Sequence, residues 1–396
     1  MNSPTLVLKK HEDRRLKSGH LWVFSNEIDI VKTPLKSFTV GEEVSVYSQS
    51  NVFLGMAYIN PHSLISARIY SHTLHESLDL PLLQKRLANA LALRTRLFTK
   101  PYYRLVFGES DYLPGLVVDR FNDILVLQIN TAGMDKKTDL IVEALRLLLP
   151  QTKGILLRND SPARTQEGLE TFVRPVFGEL PDEMTIEEND TKFLTPTLAG
   201  QKTGWFYDHR FNRARLKDYA KDQRVLDVFS YLGGWGVTAA RFGAKEVYCL
   251  DSSPLSEIWI PKNAEQNQVA DKIHVIREDA FIGMKELRQK QEIFDVVILD
   301  PPAFIKRQKD RKEGLLAYQR INELALKLLS PGGILIFGSC SQHLTQEEFI
   351  AVMHKACQHV KVDAQILEFG TQSADHPIHI AIPETSYLKM MIVRKA

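Results

Sequence analysis

Two short stretches of this chain carry side chains that could do chemistry together. Ser339-Cys340-Ser341 closes the apolar run Gly333-Ile334-Leu335-Ile336-Phe337-Gly338, and Phe294-Asp295-Val296-Val297-Ile298-Leu299 runs into Asp300-Pro301-Pro302-Ala303-Phe304. Both runs have the length and apolar content of buried strands. They should deliver a thiol and a carboxylate to one edge of a sheet. Such a pair suits covalent attack on a nucleobase carbon: sulfur adds to the ring while the acid holds the base. Cys340 is therefore the candidate nucleophile and Asp300 its acidic partner. Cys249 lies inside Val247-Tyr248-Cys249-Leu250, and Cys357 continues the helical row Phe349…Met353…Cys357. Both read as core.

The elements that must position these residues alternate along the second half of the chain. Strands are expected at 224–229, 246–251, 272–278, 294–300 and 332–338, with two more near 365–369 and 387–394. Helices are expected at 209–220, 235–242, 255–268, 314–329 and 345–359. This alternation predicts an α/β doubly wound sheet, whose ligands bind at the carboxyl ends of the strands. Upstream, residues 1–75 read as short strands of a small β barrel or roll. Residues 82–98 have leucines at helical spacing. A hairpin is expected over 115–129, turning at Asn122-Asp123, with a helix at 136–149 and a strand at 154–158. The acidic stretch Glu179 to Asp190 suggests a boundary. The division expected is 1–75, 76–188 and 189–396.

At the strand ends lies a constellation suited to a nucleoside ligand. The first strand leads into Asp227-Val228-Phe229-Ser230-Tyr231-Leu232-Gly233-Gly234, where glycines let a backbone pass close beneath a ligand. Asp251, ending the second strand 24 residues after Asp227, could accept both ribose hydroxyls. The third strand ends in Glu278-Asp279-Ala280, placing an acid near an adenine amino group. Asp300 and Pro301 complete the set. The G-x-G-x-x-G spacing of a nicotinamide enzyme is missing, and S-adenosylmethionine fits three successive acids better. No metal is called for.

Taken in order, these motifs resemble the bacterial large-subunit ribosomal RNA methyltransferase I family, cytosine-C5 enzymes acting on 23S rRNA. Gly19-His20-Leu21-Trp22-Val23-Phe24-Ser25 resembles its N-terminal PUA segment. Gln201-Lys202-Thr203-Gly204-Trp205-Phe206-Tyr207-Asp208-His209-Arg210 resembles its pre-Rossmann cofactor segment. Asp227 to Gly234, Asp300 to Phe304, Ser339 to Ser341, Ala374-Asp375-His376-Pro377 and Tyr387-Leu388-Lys389 follow in family order. The resemblance spans the chain. It implies a PUA-like barrel, a central α+β domain and a class I methyltransferase domain, with Lys202, Gly204 and Phe206 helping to hold the cofactor. Two departures stand out: Ala303 where the family has Lys, and Trp259-Ile260-Pro261 interrupting its Asn-rich helix.

The implied reaction has Cys340 adding to C6 of cytosine, so that C5 becomes nucleophilic, while Asp300 hydrogen-bonds the base near N3 and N4. A free thiol has a pKa of about 8.5 and needs help at neutral pH. His376, beside Asp375, reads as structural. The target base must be flipped out or single-stranded. Residues 9–17 hold five basic residues against two acids, and 306–313 repeat that balance. Lys9, Lys10, Arg14, Arg15 and Lys17, with Lys306 and Arg307, are the candidate RNA contacts. Two other readings stand beside this one: an exocyclic-amine methyltransferase acting on guanine N2 or adenine N6, which needs no thiol, and an inactive RNA-binding assembly protein.

Composition agrees with a globular protein. The 396 residues are 44% hydrophobic and 25% charged, with a net charge of only +2. No apolar run is long enough to span a membrane. The N-terminus has no secretory pattern, and three cysteines make no disulfide framework. A cytoplasmic protein, with a homodimer as one option, is the expectation.

Overall fold

The computed structural model describes residues 3–396. They fall into two compact units. The first comprises the chain up to Met184, Pro196–Tyr207 and Ala374–Thr385; the second comprises Thr185–Thr195, Asp208–Ser373 and Ser386–Ala396.

The first unit contains two five-stranded sheets. In one, the strands run in the order Thr5–Val7, Glu42–Tyr47, Phe53–Ile59, Ile65–Ser71, Trp22–Phe24. Its interior is a separate cluster that includes Leu6, Val23, Val44, Val46, Ile59 and Ile69. The other sheet runs Phe172–Gly178, Gly154–Asn159, Ile124–Ile129, Leu116–Phe121, Tyr102–Phe107. It buries its apolar face under helices Leu80–Leu97 and Thr138–Leu148. The expected hairpin turns at Asn122, whose φ of 58° is one that asparagine tolerates.

The second unit is built on a seven-stranded sheet. Its strands are β1 (Arg224–Val228), β2 (Glu246–Asp251), β3 (Ile273–Arg277), β4 (Phe294–Leu299), β5 (Leu329–Ser339), β6 (Ala364–Gly370) and β7 (Lys389–Lys395). Their spatial order is β3-β2-β1-β4-β5-β7-β6, with β7 antiparallel to both neighbours. The helices are α1 (Gly234–Arg241), α2 (Pro254–Gln266), α3 (Ala280–Gln289), α4 (Arg311–Leu328) and α5 (Gln346–Val360). Continuous apolar strands such as Val296-Val297-Ile298-Leu299 are covered on both faces, as parallel sheets require. Leu226, Val297, Leu335 and Phe337 join Met284, Tyr318 and Phe349 of α3, α4 and α5 in one core.

Helix starts follow local chemistry. Ser253 caps α2 by accepting from Leu255 N, with Pro254 in the first turn. Thr345 and Glu348 form a capping box at α5. Pro261 lies inside α2, where it cannot donate to the carbonyl one turn back. The helix continues through it, with Trp259 and Ile260 buried.

Candidate active site

The carboxyl ends of β1 to β5 carry the candidate residues of the second unit. Asp227 is fully buried, and its Oδ2 accepts from Gly236 N at 2.8 Å. Its Oδ1 has no protein partner. Burial, then the nearby carboxylates of Asp300 and Asp251, push its pKa up to about 7 against the Gly236 hydrogen bond. The turn that follows is tightly wound, with Phe229 at φ 67°, Tyr231 at 53° and Gly233 at 85°. Positive φ at two bulky residues is costly and persists only where the surroundings enforce it. Here Asp251 enforces it: Oδ2 accepts from Tyr231 N and Oδ1 from Ser253 N, each at 2.8 Å. Asn263 on α2 adds a bond from Nδ2 to Leu232 O at 2.9 Å. Asp279 caps α3 by accepting from Phe281 N and Ile282 N, and Ala280 is the first residue of that helix.

This edge fits S-adenosylmethionine. A Cβ on Gly236 would stand 2.4 Å from Cys249 Sγ and 3.1 Å from Asp227 Oδ2, so backbone and carboxyl approach closely only because no side chain intervenes. Gly233 and Gly234 lead directly into the N-terminus of α1. Asp251 retains lone pairs beyond the two bonds it accepts, as a ribose contact needs.

Asp300 follows β4 directly. In the register Leu299 pairs with Phe337, three residues before Cys340. A Cβ on Gly338 would come within 3.5 Å of Asp300 Oδ1 and 3.4 Å of His209 Cε1. Asp300 is clamped from two sides. His209 Nε2 lies 3.1 Å from Oδ1, and Trp235 Nε1 donates to Oδ2 at 3.0 Å. Burial works against charge on Asp300, but the charge and hydrogen bond of His209 and the bond from Trp235 outweigh it, so its pKa is lowered. His209 likewise loses to burial and gains more from Asp300, so its pKa is raised. The pair is ionic. His209 lies in the segment Gln201 to Arg210 and Trp235 just after Gly234, but no motif spacing announces their bonds to Asp300, 91 and 65 residues away.

Cys340 is half-buried, whereas Cys249 and Cys357 are buried. Burial pushes both of those thiols up in pKa, Cys249 most strongly. The serines beside Cys340 are fixed by Tyr318 on α4. Ser339 Oγ donates to Tyr318 OH at 2.8 Å, and Tyr318 OH and Ser341 Oγ are 2.7 Å apart. Ile305 N donates to Ser341 Oγ at 3.2 Å, and Phe304 N to Tyr318 OH at 3.3 Å. One buried phenol thus joins the loop after Asp300-Pro301-Pro302 to the strand end bearing the thiol. Lys389 on β7, opposite Ser339, donates to Ser341 O at 3.2 Å and Tyr387 O at 3.1 Å. Burial lowers its pKa, and the Cys340 thiol pulls it back up. The sequence reading quoted Lys389 without assigning it to the thiol.

Lys202, Gly204 and Phe206 share one turn of the first unit, with Lys202 Nζ 4.8 Å above the Phe206 ring and both Lys202 and Gly204 at positive φ. Also in that unit, His376 Nδ1 meets Asp375 Oδ1 at 3.0 Å, and Asp375 accepts from Arg104 N at 2.9 Å. His376 is buried in a structural network. Of the basic candidates, Arg15 is committed to Glu27 at 2.7 Å and Lys17 to Asp13 at 2.5 Å. Lys9 donates to Asn26 O, and Arg307 pairs with Asp310 at 3.1 Å. Lys10, Arg14 and Lys306 are exposed and carry no ion pair among the described residues.

Comparison with known proteins supplies the family. A PUA-like domain model matches residues 6–72, and a model described as S-adenosylmethionine-dependent methyltransferase matches residues 170–354. Ribosomal RNA large subunit methyltransferase I of Tolumonas auensis is 38% identical over 398 residues, covering 99% of both chains. The protein of that name from Cronobacter sakazakii is 36% identical, covering 98% of each. The chain belongs to the ribosomal RNA large subunit methyltransferase I family. As a member of that family it is an S-adenosylmethionine-dependent rRNA methyltransferase, with the α/β fold and PUA-like domain expected from its sequence. A solved structure described as a methyltransferase complexed with SAH superposes with TM-score 0.85 at 22% identity and covers 100% of both chains. Another, from Streptococcus mutans, gives 0.84 at 22% identity, over 99% of this chain and 100% of the other. At that identity they establish the fold.

Proposed function

We propose that this methyltransferase modifies C5 of a cytosine in 23S rRNA through a covalent adduct between Cys340 and C6 of the base. The observation that carries the reading is one partly exposed thiol between serines tied to Tyr318, with Lys389 bonded to the Ser341 carbonyl next to it, on the strand that neighbours the one bearing Asp300. Lys389 favours the thiolate, the form that attacks. Asp300 accepts a hydrogen bond from the N4 amino group and passes the proton of the His209 imidazolium to N3 as sulfur adds, which makes C6 electrophilic; the proton returns to the pair when the ring is restored. Sulfur adds to C6 and leaves C5 nucleophilic. S-adenosylmethionine supplies the methyl group that C5 receives, and Asp227, Gly233, Gly234, Asp251, Asp279, Ala280, Asp300 and Pro301 would hold it. Loss of the C5 proton then expels the sulfur and restores the aromatic ring.

The same reading assigns Lys9, Lys10, Arg14, Arg15, Lys17, Lys306 and Arg307 to RNA. On this reading the chain divides into a PUA-like domain at 1–75, a central α+β domain at 76–188 and the methyltransferase domain at 189–396. Among the described residues no helix is long and apolar enough to cross a membrane. We place the enzyme in the cytoplasm, with a homodimer as an assembly to be tested by sedimentation. The chemical step is tested by tritium release from 5-tritiated cytosine in rRNA. Release in step with methyl incorporation supports C5 chemistry. Methylation without release overturns it in favour of an exocyclic amine.

A further inference from the structure

The second unit carries a basic surface that the proposed reaction leaves unused. A groove of about 730 Å³ runs between α3 and α4. Phe281, Lys285 and Arg288 line it from α3, at spacings of four and three that put them on one helix face. Arg320, Glu323, Leu324 and Lys327 line it from α4, at spacings of three, one and three that again mark a single face. Four cations therefore face one acid. That acid is already engaged: Glu323 Oε1 accepts from Gln319 Nε2 at 2.8 Å and meets His359 Nδ1 at 2.9 Å. None of the four cations has an ion-pair partner among the described residues, whereas Arg307 in the loop before α4 pairs with Asp310.

Two further features bear on the occupant. Phe281, at the head of the groove, packs at 6.3 Å on Phe304, two residues beyond Pro302 of Asp300-Pro301-Pro302. The loop from Phe304 to α4 also presents exposed Lys306 and Lys309. The basic surface thus starts at the strand end that bears Asp300 and descends between the two helices. Unpaired cations in line along a groove suit a polyanion with regularly spaced charges better than a compact ligand.

We infer that the α3–α4 groove binds the ribose–phosphate backbone of the RNA flanking the target nucleotide. This rests on the assignment of rRNA as substrate. Because the contacts are to phosphate, they position the RNA and add affinity without reading sequence.

The test uses the full chain with Lys285, Arg288, Arg320 and Lys327 all changed to Gln. A control variant loses the same charge elsewhere, as Lys217→Gln, Lys221→Gln, Lys245→Gln and Lys272→Gln. Binding of a fluorescein-labelled single-stranded RNA is followed by anisotropy across a salt series, and S-adenosylmethionine binding is followed by calorimetry. On single strands each neutralised phosphate contributes about 0.7 to the slope of log K against log salt, so the groove variant should flatten that slope by about 2 to 3. Its RNA affinity should fall about tenfold or more at low salt, with cofactor affinity unchanged. The control should keep the wild-type slope. A groove variant with wild-type slope, or a control flattened equally, overturns the groove assignment. Wild-type protein that binds no RNA at all instead overturns the substrate assignment on which it rests.

Discussion

His209, itself buried, and the partly exposed Asp300 form an ion pair, Nε2 to Oδ1 at 3.1 Å, and Trp235 holds the second oxygen of the same carboxylate at 3.0 Å. A carboxylate gripped on both oxygens cannot swing. It is therefore ready to accept from a base that arrives in one orientation. Asn212 Nδ2 lies 3.2 Å from His209 Nδ1 and donates to Thr371 O at 3.1 Å.

The first prediction follows from that clamp. In His209→Asn the carboxylate loses its cation and one of its two anchors. A displacement of about 1 Å at a positioned group can cost about a hundredfold in rate. We expect kcat for methylation to fall about tenfold to a hundredfold, with the Kd for S-adenosylmethionine changing little. Trp235→Phe should give a smaller loss of the same kind. A change confined to KM for RNA would assign His209 to substrate binding instead.

The pair also sets a pH dependence. The pKa of His209 is raised, so the stabilisation from its charged form is complete below its ordinary value of about 6.5 and is lost as pH rises through the raised value. The pKa of Asp300 is lowered, so its contribution is present above about 3.9 and is lost only as pH falls through the depressed value. Thermal unfolding of wild type should lose stability on the alkaline side of the His209 titration, and His209→Asn should lack that limb. Parallel alkaline profiles for the two proteins would show that His209 does not carry it.

The parts of this fold legible in the sequence are those where one physical rule decides. β1, β2 and β4 are apolar runs with turn signals at their ends, and all are found within one residue of expectation. Strands with mixed composition escaped notice. Ile65–Ser71 buries Arg68, whose guanidinium pairs with Glu167 at 2.9 Å, so a charge occupies a core position through a partner 99 residues away. Phe172–Gly178 carries Pro175 and lies at a sheet edge, largely exposed, which hides its alternation. The hairpin Glu183–Glu188 with Thr191–Pro196 falls in the acidic stretch read as a boundary. At the candidate site, the placement of Asp300 and Cys340 at adjacent strand ends was legible from the apolar runs that precede them. His209, Tyr318 and Lys389 were not, because each matters through a contact that only the folded chain creates.

Tyr318 provides the next prediction. Its hydroxyl meets Ser339, Ser341 and Phe304 N, so Tyr318→Phe removes one group and leaves several buried partners unsatisfied. Each lost hydrogen bond of this kind costs about 1 kcal/mol. We expect a lower unfolding midpoint in urea and a drop in kcat, since both the Cys340 and Asp300 loops loosen. Unaltered kcat in a destabilised variant would restrict Tyr318 to stability.

Gly236 tests the cofactor turn. An alanine there places Cβ 2.4 Å from Cys249 Sγ, closer than atoms can approach, and 3.1 Å from Asp227 Oδ2. Gly236→Ala should weaken S-adenosylmethionine binding, because the turn must shift. Adding Cys249→Ala removes the sulfur and should restore part of that affinity, a coupling that a double-mutant cycle measures directly. Equal cofactor affinity in the single variant and wild type would show that the turn tolerates the crowding.

Cys340→Ala bears on the reaction itself. Cys340 stands half-exposed at the tip of β5 beside Lys389, while Cys249 and Cys357 lie in apolar surroundings with raised pKa. Removing its sulfur removes covalent activation of C6, so methylation should fall by about a thousandfold or more, within the range that a missing nucleophile costs. Cofactor affinity should stay near wild type, since Asp227 and Asp251 remain. Cys249→Ala and Cys357→Ala should each cost about 1 kcal/mol of stability and leave turnover intact. RNA containing 5-fluorocytosine sharpens the contrast, because fluorine cannot leave C5 as a cation and the adduct persists. Wild-type enzyme with S-adenosylmethionine should form a denaturation-resistant complex, with the crosslink mapping to Cys340 by mass spectrometry. The alanine variant should form none. Near wild-type turnover in Cys340→Ala, with no trapped complex in either protein, would transfer the chemistry to an exocyclic amine and leave Cys340 without a covalent role.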